Sequence, residues 1–403
     1  MPKLTLNDIC QYRNENMLST DLSDNVYIST ETMQPNREGI SSSDIVTPTT
    51  KKVKAFYPGD ILVSNIRPYF KKIWRATFAG GCSNDVLVFS PKCNSEYLYW
   101  LLSTDSFFNY MMATSKGTKM PRGDKKAIMK YIVPDHSDKE QRQIASFLNP
   151  LQNKIALNNR INDYLDQLID CKFNSLLCEF ENHKVTGLDW RIGTISEFVN
   201  EIISGDWGKD SSQANFTRQV RCVRGADIPM VFKGDKSKAP VRYILEKNFF
   251  KKRLFENDVI IEISGGSPSQ STGRSVYICS SLINRYEEPL VCTNFCRALR
   301  LNEDYSFYIS CYFRYLYKRG VFFSYENGTT GIKNLDLNAV LNNENIVIPS
   351  KSVIDDFNKM YKKIVSMKYA LGKENDRLSI LRDALLPKLM SGEIDVSKID
   401  LSS

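Results

Sequence analysis

The chain has 403 residues, is 42% hydrophobic and carries a formal net charge of +8, which suits two or three folded domains and excludes a disordered polymer. No apolar run approaches the roughly 18 residues that span a bilayer. The first residues lack the basic head and apolar stretch of a secretory signal, so the expected compartment is the cytoplasm. The ten cysteines are scattered without a CxxC pair and only two histidines, His136 and His183, are present. That supply offers no zinc or iron–sulfur ligand set and points to reduced, mostly buried thiols. The positive excess fits a nucleic-acid partner without requiring one.

In chain order, Thr5-Leu6-Asn7-Asp8-Ile9 comes first, followed by short β-branched and aromatic runs between Gly, Pro, Asn and Ser clusters. Ile61-Leu62-Val63-Ser64-Asn65, the run from Lys72 to Ala79, and Asp85-Val86-Leu87-Val88-Phe89 read as strands. Residues 95–112 read as an amphipathic helix rich in Tyr, Phe and Leu. Ser115-Lys116-Gly117-Thr118-Lys119-Met120-Pro121-Arg122-Gly123 is a turn-rich basic loop. Tyr131-Ile132-Val133-Pro134 leads into a long helical stretch.

The same plan then recurs at a spacing of about 200 residues, too long for a solenoid and suited to a duplicated domain. Thr194-Ile195-Ser196-Glu197-Phe198 repeats the opening, and Glu256-Asn257-Asp258-Val259-Ile260-Ile261 repeats Pro58-Gly59-Asp60-Ile61-Leu62-Val63. Cys292-Thr293-Asn294 repeats Cys82-Ser83-Asn84, Gly328-Thr329 repeats Gly117-Thr118, and Ile346-Val347-Ile348-Pro349 repeats Tyr131-Ile132-Val133-Pro134. The second half adds strands in Asp258-Val259-Ile260-Ile261-Glu262-Ile263-Ser264 and Ser275-Val276-Tyr277-Ile278-Cys279-Ser280-Ser281, and a helix over 305–317.

Each repeat closes on a long helix. In the second, Phe357, Met360, Ile364, Met367, Leu371, Glu374, Leu378, Leu381 and Leu385 alternate three and four apart, a coiled-coil seam with one polar interruption at Glu374. In the first, Lys154, Leu157, Ile161, Tyr164, Leu168, Cys171, Ser175 and Cys178 keep the alternation with less apolar character. A second stripe of Leu151, Ile155, Leu165, Ile169 and Leu176 lies beside it. The expected helix-pairing residues are therefore Leu157, Ile161, Tyr164, Leu168, Phe357, Met360, Ile364, Met367, Leu371, Leu378, Leu381 and Leu385. The simplest arrangement pairs the two helices and leaves flanking surface for other subunits; the rival arrangement packs each on its own domain. At 1.5 Å per residue the seam over 357–385 is roughly 43 Å long, against about 34–36 Å for one turn of DNA.

Several segments suit DNA. Asn65, Arg67, Lys71, Lys72 and Arg75 alternate with Ile66, Tyr69, Phe70, Ile73 and Trp74, which permits a strand with one basic face. Lys116, Thr118, Lys119 and Arg122 sit in the basic loop, Gln270, Thr272 and Arg274 in a Gly/Ser/Pro loop of the second repeat, and Asn327, Thr329, Thr330 and Lys333 at the position matching the first repeat's basic loop. Enzymatic readings find little footing. Gly266 and Gly273 are too far apart for a P-loop and Arg274 takes the place of its lysine. No Asn-Pro-Pro-aromatic methyltransferase turn occurs, Asp355-Asp356 fit the first turn of a helix, and both histidines fall in polar segments flanking the first long helix. Neither catalytic, cofactor-binding nor metal-binding residues are expected.

With these residues in view, the sequence resembles the specificity subunit of type I restriction-modification systems. The run from Gly59 through Ile61, Asn65, Ile66, Arg67 and Pro68 to Tyr69 carries the resemblance, with Lys72-Ile73 and the run from Cys82 to Val88. So do Asp138-Lys139-Glu140-Gln141-Arg142-Gln143-Ile144-Ala145, the run from Gly328 to Leu335, and the closing run from Leu385 to Ile394. The resemblance implies an α+β chain in which two globular target recognition domains, of mixed strands and short helices, alternate with two long helices that pair as an antiparallel coiled coil. The implied division is 1–134 for the first recognition domain, 135–184 for the first spacer, 185–349 for the second recognition domain and 350–403 for the second spacer. It also implies no catalysis and no cofactor in this chain. The implied partners are double-stranded DNA with a bipartite, asymmetric target, two modification subunits that methylate adenine, and restriction subunits that translocate and cut. The second repeat departs from the first: it lacks the Ile-Arg-Pro-Tyr segment and has Phe295-Cys296-Arg297 where the first has Asp85-Val86-Leu87. The rival reading is a duplicated scaffold or regulator that binds proteins through heads and rods.

Overall fold

The computed structural model describes residues 3–22, 27–40, 48, 50–182, 190–267, 270–328 and 332–396. His183, Thr329 and Thr330 lie outside the described residues. Among the described residues no helix is long and apolar enough to cross a membrane. The fold divides into two compact units, Met1–Asn153 with Leu378–Ser403, and Lys154–Arg377. Helices Asp138–Asn182 and Lys351–Met390 each contribute to both.

In the first unit an antiparallel sheet runs Cys10–Tyr12, Val86–Pro91, Ile61–Ser64, Ile73–Arg75. In the second unit the order is the same: Val199–Ser204, Cys296–Leu301, Asp258–Glu262, Ser275–Tyr277. The duplication read from the sequence is therefore a duplication of topology. Matching local devices accompany it. Thr5 with Asp8, and Thr194 with Glu197, form reciprocal capping boxes at the start of each head. Asp60 accepts the Tyr57 N–H at 2.8 Å, and Asp258 accepts the Phe255 N–H at 2.8 Å, closing the turn before the same strand. The cation that neutralises this buried carboxylate comes from a different segment in each head. Arg13 reaches Asp60 at 2.7 Å and also Ser90, whereas Arg300 reaches Asp258 at 3.2 Å from the position Ser90 holds in the first head.

A second sheet completes each head. In the first it runs Asn16–Leu18, Lys52–Phe56, Gly80–Cys82, Tyr27–Ile28, with the last pair parallel. In the second it runs Val241–Leu245, Phe216–Val223, Leu290–Cys292, again ending on a parallel pair. The helix expected over 95–112 is two helices, Ser95–Leu102 and Asp105–Ala113. They break at Thr104, whose hydroxyl accepts the Phe107 N–H and starts a new N-terminus. The helix expected over 305–317 spans Ser306–Lys318.

The long helices run antiparallel. In the first unit Arg382 donates to Gln152 at 2.8 Å, and Ile144, Ala145 and Leu148 share a core with Leu386, Leu389 and Met390. In the second unit Asn158 donates to Asn375 at 2.9 Å and to Glu374 at 2.8 Å, Lys368 pairs with Asp166, and Phe173 meets Phe357. The seam corrects the sequence reading. Leu157, Tyr164, Leu168, Met367 and Leu381 are exposed, and Ile161 is only half buried. The buried face of the first helix is Ile155, Asn158, Asn162, Asp166, Ile169, Phe173 and Leu177. Its middle is polar, so hydrophobic spacing pointed to the neighbouring stripe. On the second helix Phe357 and Ile364 are buried, while Met360, Leu371, Leu378 and Leu385 are half buried. Both helices also pack on the second head, where Phe173 touches Tyr308, Tyr312 and Tyr315, and Tyr369 donates to the Val231 carbonyl. The two arrangements weighed from the sequence thus coexist.

Candidate DNA interface

In the first head, the loop over 65–72 joins two strands of the main sheet, and the basic loop over 115–123 is sewn to it. The Arg67 N–H donates to the Pro121 carbonyl at 2.9 Å, the Gly123 N–H donates to the Asn65 carbonyl at 3.3 Å, and Ile66 bridges Arg122. Lys116 and Arg122 exchange both backbone hydrogen bonds, at 2.9 and 3.0 Å, which closes the basic loop on itself around Gly117 at φ 91°. Two basic segments that are far apart in sequence thus form one surface.

The turn Pro68–Phe70 is flanked by two non-glycine residues in the left-handed region, Arg67 at φ 49° and Lys71 at φ 51°. Such backbone costs of order 1–3 kcal/mol per residue. The segment containing Asn36 and Arg37, itself at φ 56° and 69°, holds it in place by donating to the Phe70 and Lys71 carbonyls. At the tip, Tyr69 is 49% exposed, with its ring 4.7 Å from that of Phe70, and Met120 is exposed on the neighbouring loop.

The candidate cations differ in freedom. Lys116, Thr118, Lys119 and Arg122 are exposed, and Arg67 is half buried. Arg122 pairs with Asp85 at 3.0 Å, which raises its guanidinium pKa. Lys116 pairs with Asp124 at 2.7 Å; that bond, with the Ala127 N–H, holds the Asp124 carboxyl at about 2. Lys71 pairs with Asp105 at 2.8 Å, Arg75 with Glu96 at 3.1 Å, and Lys72 donates to the Thr30 carbonyl, its pKa lowered by burial. Asn65 is only 6% exposed, which removes it from the surface; its backbone instead anchors the basic loop.

The second head repeats the junction with other chemistry. Ser264–Gly265 pairs with Lys333–Leu335, which pairs in turn with Glu326–Asn327, so the loop after the same strand again meets the segment before a short helix. Both cations expected to face DNA in this head are held internally. Arg274 donates to Glu262 at 2.8 and 2.6 Å, and Lys333 pairs with Glu326 at 2.8 Å. Thr272 is fully buried, its N–H and hydroxyl both donating to Glu326, and so cannot read a groove from this position. Burial alone would raise the Glu326 pKa, but the bonds from Lys333 and Thr272 bring it below the usual range. Gln270 and Asn327 are exposed. The sequence reading missed Trp207 and Phe295, both exposed beside this loop. The one signal for Phe295 was its replacement of an aspartate in the repeat.

His136 is held by the Tyr97 hydroxyl at 2.9 Å, and burial lowers its pKa. Among the described residues no group of His, Cys, Asp or Glu side chains is arranged to hold a metal ion.

Residues 2–167 match the family model described as the type I restriction modification DNA specificity domain. Over 319 residues the chain is 25% identical to the type I restriction enzyme MjaIX specificity subunit of Methanocaldococcus jannaschii, covering 76% of this chain and 70% of that protein. It is 24% identical over 411 residues to the HindI specificity subunit of Haemophilus influenzae, covering 85% and 88%. In fold it is similar to the crystal structure of the S subunit of a type I restriction-modification system from M. genitalium, with a TM-score of 0.54, 16% identity and 96% of each chain covered. With the duplicated topology and the antiparallel helices, these likenesses make the chain similar, over most of its length, to specificity subunits of type I restriction-modification systems.

Proposed function

We propose that each head reads one half of a split, asymmetric DNA target, and that the helix pair sets the spacing between them while recruiting the modification and restriction subunits. In this reading the chain targets the complex and catalyses nothing itself. The division at 1–134, 135–184, 185–349 and 350–403 assigns reading to the sheets and spacing to the helices. The supporting observation is that both heads join a strand-connecting loop to the segment before a short helix at the same place in a shared topology, yet fill that junction with different side chains. Two readers of common descent and unlike surface suit two unlike half-targets. The exposed stripe of Leu157, Tyr164 and Leu168 supports recruitment, since an apolar helix face suits a protein partner.

The test is to co-express the chain with its cognate modification subunits and map methylated adenines across the host genome. A two-part motif with a fixed gap is expected. Methylation without a split motif, or binding of the chain that random duplex competes as well as target, overturns the reading.

A further inference from the structure

The second head contains a cavity of about 520 Å³ beside its loop over 263–274, within the roughly 300–1,000 Å³ of pockets that take small ligands. Trp207 and Phe295 line it with exposed aromatic rings, and its other lining includes the Glu262–Arg274 pair, Arg224 and Asn294. Each wall is fixed. Arg242 lies 4.1 Å over the Trp207 ring. The Phe295 carbonyl accepts the N–H groups of Ile263 at 2.9 Å and Ser264 at 3.2 Å, yet the Phe295 side chain is 55% exposed. Gly225 lies so close to the Glu262 carboxylate that a Cβ there would collide with it. Arg224 lines the cavity, and its guanidinium is fixed by Asp227, which accepts from Nε at 2.8 Å and from Nη2 at 3.0 Å.

The first head does not repeat these walls. Asn65 donates to the Asp85 carbonyl as Ile263 does to that of Phe295, so Asp85 holds the place of Phe295, and its carboxylate binds Arg122. Ser64 and Lys72 hold the places of Glu262 and Arg274, as the Ser64-to-Lys72 and Glu262-to-Arg274 backbone bonds show.

We infer that this cavity takes a single nucleobase unstacked from the half-target under the second head, held against the Trp207 and Phe295 rings with its polar edge toward Arg224 and Asn294. Aromatic walls fit a planar ring of any base, and the guanidinium and amide supply donors for its edge. The inference rests on the DNA-reading role proposed above and adds to it a deformation of one half-target only.

The experiment is a mismatch scan. The full chain is titrated against duplexes carrying the mapped target, each pair of either half being mismatched in turn. A base that must leave the stack does so more readily from a mismatch, so one position in the second half should bind more tightly, by about tenfold. Positions read in the groove should weaken. Phe295→Ala and Trp207→Phe, both at exposed rings, should melt like the wild type. Phe295→Ala should abolish the gain, Trp207→Phe should reduce it, and the scan of the first half should stay unchanged. Selective binding with no position strengthened, or a gain that survives Phe295→Ala, overturns the base cavity and leaves the reading role standing. Equal binding of target and random duplex overturns the reading role itself.

Discussion

Asp85 and Phe295 hold the same place in two related heads and do opposite things: one neutralises a cation beside the basic loop, the other leaves an apolar ring in solvent. Arg122 is therefore both a surface cation and half of a local pair. Arg122→Ala should remove about one phosphate contact, lowering the slope of log affinity against log salt by about 1 and weakening or relaxing the first half-target alone. Titrations at several salt concentrations with targets altered in either half check this; an unchanged slope would count against phosphate contact. Asp124 supports the same loop through Lys116. Its carboxyl is depressed from 3.8 to about 2, so its contribution is complete above pH 3.8 and fades as pH falls toward 2. Protection of the 115–123 amides, taken as exchange relative to the unstructured rate at the same pH, should fall across that window, and in Asp124→Asn it should be low already at neutral pH. Tyr69→Ala, at the strained tip, should weaken the first half-target with no loss of thermal stability, because the ring is half exposed.

The helix pair shows how a polar seam sets register. Lys368 is buried against Asp166 and the Phe232 carbonyl, with Arg314 near the same carboxylate. Burial lowers the Lys368 pKa and raises that of Asp166, so each group depends on the other for its charge. Lys368→Met alone should cost about 3–5 kcal/mol, because it strands a buried carboxylate, and adding Asp166→Leu should recover most of that loss. Urea melts of the two variants decide it; equal losses in single and double variants would mean the pair contributes no mutual compensation. Glu374, read from the sequence as an interruption in an apolar seam, meets Asn158 and Lys154 across the pair. An apolar seam tolerates a slip along the helix, but these hydrogen-bonded partners meet in one alignment only.

For the molecule as a whole, the proposal requires the heads to act as separable readers. Substituting Arg67, Lys119 and Arg122 together should alter the mapped methylation motif in one half and leave the other half and the gap length unchanged. A motif changed in both halves would show that the heads do not read independently. Swapping residues 263–274 for the loop of a relative should change the other half alone.

The amino-acid sequence by itself determined the duplication, the main strands and the two long helices. Alternation of apolar residues, turn residues and capping pairs such as Thr5 with Asp8 act over a few positions, and a repeat preserves them in order. Only the tertiary structure decided which face of each helix is buried, because Asn158, Asn162 and Asp166 bond to residues more than 200 positions away on the other helix, and Asn162 also to Lys233, 71 positions away in the second head. It also decided that Asn65 and Thr272 face inward, that Arg274 and Lys333 are already paired, and that Phe295 stands exposed. Residue type constrains what a side chain can bond; partners distant in sequence decide whether that capacity is spent inside the fold or offered at its surface.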